Sequence, residues 1–577
     1  KQEITPADME IYEYAREEIA KLNEHYTGND QPRFFLLHRR RLYNEKQGCW
    51  MGWERKRGKL HELNLLLRGD QDTSYFPADA RLPKDIKYVM TLDADTRLTP
   101  ESVTHLVGKL SHPLNRPVFD DKTGRVVRGY GILQPRVTPS LTTGDEASFL
   151  QRVFSVNRGI DPYVFAVSDT YQDLLGEGTF TGKGLYDIDA FEAALKDRVA
   201  ENTLLSHDLL EGGYARAALV SDVEVVEDYP TGYNVDVSRH HRWARGDWQL
   251  LPWLFSASRG VSTITRWKMI DNLRRSLNPI MWLLASVIGW SILPLGVAAV
   301  WQAFLIVSMF VAPTFGIVTN LIPSNMDYSL KGHAQSVLTD IALGTADVAL
   351  RTTFIAHSAF LMADAIVRTI YRLFVSHRDL LEWKTAAQAK SSPDTLLYYF
   401  QLMWPAMVIA GLAVFIPLGA YSHAALIAAP FAVIWFASPL IAWLVSRSAK
   451  PQDTLEVLSS DKSDLRRYAR RTWRYFAEFA NDENNHLPPD NFQEDPAPIV
   501  AQRTSPTNIG VYVLSVVAAR DFGWIGFDET LNRIESTVTT LEKMEKYQGH
   551  LYNWYETNTL TPMRPLYVSA VDSGNLA

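Results

Sequence analysis

The sequence predicts an α/β domain, followed by an α-helical transmembrane region and a further C-terminal part. Strand-like and helix-like segments alternate through the first 270 residues, which is typical of a sheet covered by helices. Further along, residues 276–326 and 395–446 are stretches of 51 and 52 residues without a single Asp, Glu, Lys or Arg. Because a membrane-spanning helix needs about 20 apolar residues, each stretch is long enough for two spans and a tight turn.

Length, charge and cysteine content limit the class of protein. With 577 residues, the chain is long enough for two or three domains. Its 58 Lys and Arg against 65 Asp and Glu leave a net charge of −7 without a long basic run, which argues against nucleic acid as a partner. Cys49 is the one cysteine, so the chain can form neither an internal disulfide nor a cysteine-rich zinc module.

Four segments of the N-terminal domain have the composition of strands. In chain order they read RFFLLHRR, KYVMTLDADT, GYGILQP and ARAALVSDVEVVEDYP. Because helix-like segments separate them, we expect a largely parallel sheet with its ligands at the carboxyl ends of the strands. Ahead of them, ADMEIYEYAREEIAKLNEHY predicts an amphipathic helix that begins after Thr5-Pro6.

The uncharged stretches predict four transmembrane helices, near residues 279–295, 299–321, 396–417 and 425–446. Lysines and arginines flank both pairs, whereas the connection within each pair is uncharged, so the positive-inside rule places the soluble parts in the cytoplasm. Between the pairs, charges interrupt apolar residues at helical spacing. This pattern predicts helices in the membrane interface, and a small soluble helical insert is the alternative.

The first candidate catalytic motif is Asp93-Ala94-Asp95, at the end of the second predicted strand. Two carboxylates so placed can share a divalent cation and its diphosphate ligand, and such oxygen ligands suit Mg²⁺ or Mn²⁺. Alone, an Asp-x-Asp is weak evidence, because acidic residues often end strands in turns. Five further groups accompany it: Lys56-Arg57-Gly58-Lys59, Gln134-Pro135, Gly182-Lys183-Gly184, Ser206-His207-Asp208 and Arg239-His240-His241-Arg242-Trp243.

In this order the groups resemble the motifs of processive, membrane-embedded inverting glycosyltransferases of the GT-A fold, such as cellulose, chitin and hyaluronan synthases. Their Asp-x-Asp, Thr-Glu-Asp and Gln-x-x-Arg-Trp motifs correspond here to DAD, SHD and RHHRW. His207 stands for the usual Glu and Arg239 for the usual Gln, which separates the chain from the cellulose synthases proper.

The C-terminal residues narrow the resemblance. LPPDNFQEDP and GHLYNWYETNTLTPMRPLYVSAVDSGNLA resemble the opening of a glucoamylase-like (α/α) toroid. An α/β GT-A-type domain, transmembrane helices and then such an opening is the order of the cyclic β-1,2-glucan synthase family, which the whole chain resembles. We therefore expect opening strands upstream of Lys1 and more of the toroid downstream, so that the segment from Leu487 onward does not fold by itself.

The resemblance implies an inverting transfer of glucose from UDP-glucose to a growing glucan chain. Asp95 with Asp93 would hold Mg²⁺ or Mn²⁺ on the diphosphate, and Asp208 would be the general base. Five residues would supply further contacts: Arg239 and Arg242 to the diphosphate, Trp243 to the acceptor sugar, Lys59 to a phosphate or ribose, and Gln134 to the sugar. For Lys59 and Gln134, a surface ion pair or core packing is an equally good interpretation.

The expected organisation is therefore a GT-A glycosyltransferase domain (1–270), transmembrane pairs (271–325 and 395–447) around interface helices (326–394), a linker (448–486) and the start of a glucoamylase-like domain (487–577). The resemblance implies the bacterial inner membrane, with the lipid bilayer and further domains of the same polypeptide as partners.

Other hypotheses remain open. The same machinery could make another β-glucan or polysaccharide, or the chain could be a polysaccharide transporter, although its spans lack the charges usual in a transport path. Glu556 and Asp572 are carboxylates of the kind that a hydrolase or phosphorylase uses. Synthases of this family are thought to build the glucan on the protein itself, and Tyr26, in a turn-like context, is the candidate priming acceptor.

Overall fold

The computed structural model describes residues 2–26, 32–77, 82–99, 101–140, 147–154, 170–205, 208–256, 260–321, 330–383, 393–447 and 459–576. Several predictions fall outside these ranges. They concern Ser206 and His207 of the SHD motif, residues 326–329 and 384–392 of the predicted interface segment, and residues 448–458 of the predicted linker.

The N-terminal part combines helices with short strands. The first predicted strand, RFFLLHRR, is wrong, because this segment makes one isolated bridge, between Arg39 and Tyr75, while the Arg39 guanidinium turns inward to Glu62 at 2.7 Å. The other three predicted strands are confirmed as β3 (Tyr88–Thr91), β7 (Ile132–Pro139) and β9 (Ala217–Glu227). The helices are α1 (Pro6–Tyr26), α2 (Arg55–Leu67), α3 (Ser102–Ser111), α4 (Phe149–Phe154), α5 (Thr170–Leu175), α6 (Ile188–Leu195), α7 (Asp208–Ala215), α8 (Tyr233–Gln249) and α9 (Leu251–Phe255). The strands are β1 (Leu42–Asn44), β2 (Cys49–Met51), β3 (Tyr88–Thr91), β4 (Arg97–Leu98), β5 (Val118–Asp120), β6 (Arg125–Arg128), β7 (Ile132–Pro139), β8 (Gly184–Asp187) and β9 (Ala217–Glu227).

The central sheet has five strands in the order β3-β8-β7-β9-β4. The prediction of a largely parallel sheet is wrong, because only β7 and β9 pair in parallel in this sheet. The unpredicted β8 runs antiparallel between β3 and β7, and its insertion leaves β3, β7 and β9 pointing the same way. The carboxyl ends of these three strands therefore lie at the same end of the sheet, next to the start of β8. Leu106, Leu133 and Leu185 pack α3 against this sheet.

The helices that follow contain three that are long and apolar enough to cross a membrane by length and composition: residues His333–Ser376, Leu396–Gly419 and Ala425–Ser446. The last two coincide with the predicted second pair. The bounds are α10 (Thr263–Ile292), α11 (Leu295–Met309), α12 (Val311–Asn320), α13 (Leu330–Tyr371), a π-helical turn (Arg372–Ser376), α14 (Leu396–Gly419) and α15 (Ala425–Ser446).

The first predicted pair takes a different form. The span predicted at 279–295 is the C-terminal half of α10, whose N-terminal half carries charged residues. The span predicted at 299–321 is broken into α11 and α12. Pro313 explains the break, because a proline ring clashes with the carbonyl four residues earlier, which belongs to Met309 at the end of α11.

The segment predicted as separate interface helices contains instead one continuous helix, α13, of 42 residues. At 1.5 Å per residue it is about 63 Å long, and it packs on the N-terminal part as well as on α14 and α15. Tyr233 of α8 makes a hydrogen bond of 2.9 Å with His357, and the Trp435 indole of α15 donates to the Thr352 carbonyl oxygen at 2.9 Å. This helix therefore connects α8 to the apolar helices.

The C-terminal part begins earlier than predicted. Helix α16 (Ser459–Phe479) covers most of the predicted linker, and its buried Trp473 packs with Tyr512 and Ile525 in one core. The predicted boundary at Leu487 is therefore wrong, because a cut there would remove part of that core. The remaining elements are β10 (Phe492–Gln493), β11 (Ile499–Val500), β12 (Arg503–Thr504), α17 (Pro506–Asp521), α18 (Phe527–Lys543), β13 (Lys546–Tyr547), β14 (His550–Leu551), β15 (Tyr555–Glu556) and α19 (Ala570–Leu576).

Glu224 joins this C-terminal part to the sheet. Its carboxylate is buried, and it accepts hydrogen bonds from Arg136 Nη2 of β7 at 2.9 Å and from the Phe527 backbone N–H at 3.2 Å. Arg520 of α17 lies 3.4 Å from the same carboxylate. A register shift between Pro135 and Arg136 brings Arg136 opposite Glu224. Two arginines from different parts of the chain thus share one buried acid.

We expect Glu224→Ala to lower the free energy of unfolding by about 3–5 kcal/mol, because it leaves Arg136 buried without its partner. Chemical denaturation followed by amide exchange of β9 measures this change. Asp222→Asn is the matched control on the same strand, because Asp222 is exposed and pairs only at the surface, with Lys109. Equal effects of the two substitutions would contradict the role given to Glu224.

Candidate active site

Two lysines converge on Asp93 at the end of β3. Lys56 Nζ, from the first turn of α2, lies 2.8 Å from Asp93 Oδ1, and Lys183 Nζ, just before β8, lies 3.4 Å from Oδ2. Lys183 also contacts Glu227 Oε1, at the end of β9, at 2.6 Å. Burial would raise the pKa of Asp93, but the charges of both lysines outweigh it and hold that pKa below its usual range. Asp93 is therefore a carboxylate at neutral pH.

Asp208 lies near both Lys56 and Gly182. Lys56 Nζ donates to the Gly182 carbonyl oxygen at 2.9 Å, and a Cβ on Gly182 would come within 2.9 Å of Asp208 Oδ2. Gly182 also has a φ of +86°, so both its backbone and its closeness to the carboxylate favour glycine. Burial opposes the charge of Lys56, but Asp208 and Asp93 together raise its pKa. We call Lys56, Asp93, Lys183 and Asp208 the lysine–aspartate cluster.

The start of α2 is held in a strained conformation that places Lys56. Glu54 and Arg55 are consecutive non-glycine residues with φ of 48° and 52°, which is the left-handed region. The buried Glu54 carboxylate accepts a hydrogen bond from Arg57 Nη2 at 2.6 Å and from the Asn202 backbone N–H at 2.6 Å. Such strain persists only where surrounding contacts impose it, and it is common at functional sites.

Gln134 is buried and stabilises the loop next to this cluster. It does not lie at the surface of the protein. Its side chain is fully buried on β7, and its Oε1 accepts from the Thr181 backbone N–H at 2.8 Å and from the Thr181 hydroxyl at 3.0 Å. Gln134 Nε2 donates to the Pro135 carbonyl oxygen at 2.7 Å. Both ends of the amide are thus engaged within the protein, and the residue fixes the loop that carries Gly182 and Lys183.

The RHHRW residues occupy α8. The Arg239 guanidinium stacks over Tyr229 at 5.1 Å and over Trp243 at 4.8 Å, and it donates to Asp236 Oδ1 at 3.2 Å. Trp243 is 45% exposed, so part of its ring is accessible. His241 Nε2 contacts Asp364 Oδ2 of α13 at 2.9 Å, which ties the motif to the apolar helices.

Arg242 lies against a residue that the sequence did not point to. Its guanidinium is 4.9 Å from the Trp383 ring centroid, and Arg55 approaches the same ring at 5.8 Å. Arg55 Nε also donates to the Leu381 carbonyl oxygen at 2.6 Å. Burial and the nearby Arg239 lower the pKa of Arg242, and the charges of Asp93 and Asp208 oppose this shift. Arg242 therefore lies within electrostatic reach of the lysine–aspartate cluster.

Other predicted residues lie further from the cluster. Partial desolvation of its ammonium group, with the nearby cations Arg39 and Lys56, lowers the pKa of Lys59, although much of the side chain is exposed. Asp95 is exposed on the turn after β3. The ring of Tyr26, at the end of α1, lies against His25 and Phe34, and within the described ranges no hydrogen bond or ion pair links it to the cluster.

Sequence reasoning missed four residues that the structure brings to this region. Lys56 and Lys183 belong to the motifs named from the sequence, but only the structure shows that both reach Asp93. Glu227 could have been found as the acid that ends a strand parallel to β7. No pattern in the neighbouring sequence points to Trp383, because it reaches Arg242 only through the turn of the chain after α13.

Metal ligands are present only in part. In the described ranges no group of three or more His, Cys, Asp or Glu side chains could hold a metal ion. Mg²⁺ often binds through one or two carboxylates and the phosphates of a substrate, and Asp93 and Asp95 are two such carboxylates. The exposed Asp95 fits this role, whereas Asp93 is engaged by Lys56 and Lys183.

Comparison with known proteins gives three results. A family model described as a protein of unknown function (DUF3131) matches residues 467–568, which begin within α16. A candidate glucoamylase from Bacteroides fragilis NCTC 9343 aligns with 22% of this chain and 31% of its own at 23% identity, and its TM-score of 0.19 is too low to support a statement on the fold. The cyclic β-(1,2)-glucan synthase NdvB of Rhizobium meliloti (strain 1021) is 59% identical over 582 residues.

The match to the synthase covers 100% of this chain but only 20% of the synthase. The chain thus spans about one fifth of the length of this relative. The resemblance predicted from the motifs is confirmed: from end to end, the chain is similar to part of a cyclic β-(1,2)-glucan synthase.

Proposed function

We propose that this chain is a membrane-embedded, processive inverting glucosyltransferase that polymerises glucose from UDP-glucose into β-1,2-glucan, as part of a larger cyclic glucan synthase. One observation carries the proposal. Lys56 joins Asp93, which follows the carboxyl end of β3, to the Gly182 carbonyl oxygen, and a Cβ on Gly182 would come within 2.9 Å of Asp208 Oδ2. Asp93, which we assign to the donor, and Asp208, which we assign to the acceptor, thus both lie near the Lys56 ammonium group.

In the proposed reaction, an Asp208 oxygen removes the proton from an acceptor hydroxyl. The hydroxyl oxygen attacks the anomeric carbon of glucose, the bond from that carbon to the diphosphate breaks, and UDP leaves with inversion. Lys56, Lys183 and Arg242 offer positive charge to the departing diphosphate. Trp243 offers its exposed ring to the acceptor sugar.

Mg²⁺ or Mn²⁺ would be held by Asp95 with Asp93, and when bound it supplies further positive charge for the diphosphate. For Gln134, buried on β7, the packing role is the one we propose, because it positions the loop at Gly182. Lys59 would contribute positive potential near Lys56.

Binding of UDP-glucose tests the proposal against a transporter without transferase activity. The full-length protein should bind UDP-glucose more tightly with Mg²⁺ or Mn²⁺ than without, in competition with UDP. An affinity for glucan without any affinity for UDP-glucose would support the transporter instead. Another polysaccharide made by the same machinery is the second candidate, and UDP-sugars other than UDP-glucose serve as its probes.

Trp383 should act as a positioning residue for Arg242. Removal of a stacked aromatic face costs about 0.5–2 kcal/mol, so we expect Trp383→Ala to slow glucan elongation roughly 2- to 30-fold. The effect should appear in KM for UDP-glucose as well as in kcat, and Trp383→Phe should restore most of it. Unchanged kinetic constants in Trp383→Ala would exclude this role.

The proposed topology places the turn between α14 and α15 outside the cell and the soluble parts in the cytoplasm. Tyr421 in this turn is 94% exposed. A cysteine that replaces Ser422 should react with an impermeant thiol reagent in intact cells. Native Cys49 is the internal control and should react only after permeabilisation. Labelling of position 422 only after permeabilisation would reverse the orientation.

A further inference from the structure

We infer that residues 461–474 of α16 bind the surface of a bilayer that contains anionic lipids. Five of its side chains are exposed arginines on one face of the helix. At 3.6 residues per turn, their positions fall within an arc of about 140°, which makes a continuous basic surface. We call this set the arginine face, and it consists of Arg466, Arg467, Arg470, Arg471 and Arg474.

Much of the arginine face has no ion-pair partner among the residues that the structure describes. Trp473 of α16 and Ala480, just after the helix, are buried and anchor this part of the chain, whereas residues 461–468 are all exposed. Arg470 stacks over Trp524 at 5.4 Å, and Arg474 lies 3.4 Å from Glu478. The other three arginines form no ion pair with any residue for which the structure gives a position. Residues 461–474 contain six basic residues against Asp461 and Asp464, so this segment of the helix is strongly cationic.

The position of α16 in the chain identifies the partner. The apolar helix α15 ends at Ser446, and the next residue, Arg447, places its guanidinium 4.4 Å from the Trp443 ring, a pairing typical of a membrane interface. The chain from there to Ser459 can reach no further than about 45 Å when extended. Clusters of four to eight basic residues beside a transmembrane helix attract anionic lipid headgroups.

Apolar side chains complete the match to a lipid surface. Leu465 and Tyr468 are 58% and 63% exposed, and at 3.6 residues per turn they lie on the side of the helix away from the arginines. A helix with a basic face on one side and exposed apolar residues on the other lies in the plane of a bilayer interface. The arginine face would thereby hold the C-terminal part at the membrane, close to the transferase domain. This inference depends on the proposed membrane embedding.

Amide exchange in lipid nanodiscs tests the inference. The full-length protein is incorporated into discs of phosphatidylcholine alone and into discs with about one third phosphatidylglycerol. We expect amides of residues 459–472 to exchange at least about tenfold more slowly in the anionic discs, and we expect 1 M salt to abolish the difference, because the Debye length falls to about 3 Å. Replacement of Arg466, Arg467, Arg470 and Arg471 by glutamine should remove the protection, and replacement by lysine should keep most of it.

Several results would overturn the inference. Equal exchange in both kinds of disc would mean that lipid charge is not recognised. Protection by added nucleic acid in neutral discs, without protection by anionic lipid, would assign the arginine face to another partner. Failure of the protein to enter discs at all would overturn the membrane assignment first and this inference with it, so the two failures are distinguishable.

Discussion

Asp208→Asn should lower the rate of glucan elongation by about a hundred- to ten-thousandfold, the usual cost of a lost general base. The amide keeps the shape of the side chain but cannot accept the acceptor proton at neutral pH. Affinity for UDP-glucose should stay near the wild-type value, because Asp93, Asp95 and Lys183 are unchanged. Donor affinity and elongation rate, measured side by side on the full-length protein, separate these two effects.

Asp189→Asn is the matched control for this variant. Asp189, like Asp208, lies in the first turn of a helix, but it is on the surface and pairs with Arg68. We expect the control to elongate at the wild-type rate. If Asp208→Asn also elongates near that rate, the base lies elsewhere and the proposed mechanism is wrong in its central residue.

Asp95→Asn should have the opposite pattern, with its main effect on donor binding. Loss of a metal ligand should weaken metal-dependent binding of UDP-glucose by at least the roughly 10- to 100-fold that loss of a supporting residue costs. Asp95 is exposed, so the substitution should not disturb the ion pairs of Lys56 and Lys183 with Asp93. Titration of UDP-glucose with and without Mn²⁺ measures the effect.

Asp121→Asn, on the exposed turn between β5 and β6, provides the control for general loss of negative charge. It should keep the affinity and the metal response of the unmodified protein. An Asp95→Asn variant that binds the donor as tightly, and with the same dependence on metal, would remove Asp95 from the proposed site.

Local signals in the sequence predicted much of this structure. The apolar runs at β3, β7 and β9 were recognisable as strands, and the uncharged stretches gave α14 and α15 almost to the residue. The motif order also predicted the similarity to the glucan synthase. These features depend on residues that are close in sequence, which is why composition and spacing reveal them.

Features that depend on distant contacts were not predictable. The direction of β8 depends on its pairing with β3 and β7, and alternation of strands with helices does not reveal it. Trp383 reaches Arg242 only because the chain turns back after α13. The role of Gln134 likewise depends on the loop at Thr181, which is 47 residues away. The start of the C-terminal part was placed too late, because Trp473 looks like a linker residue until its packing against Tyr512 is known.

Analysis of the polymer made from UDP-[¹³C]glucose tests the central claim most directly. The full-length protein in lipid, supplied with Mg²⁺ or Mn²⁺, should release one UDP for each glucose incorporated and form a glucan. Linkage analysis should find glucose substituted at the 2-position, and NMR should find the β configuration that inversion of the donor requires. A product with another linkage or with α-glucose, or the absence of polymer while UDP-glucose is bound, would contradict the account.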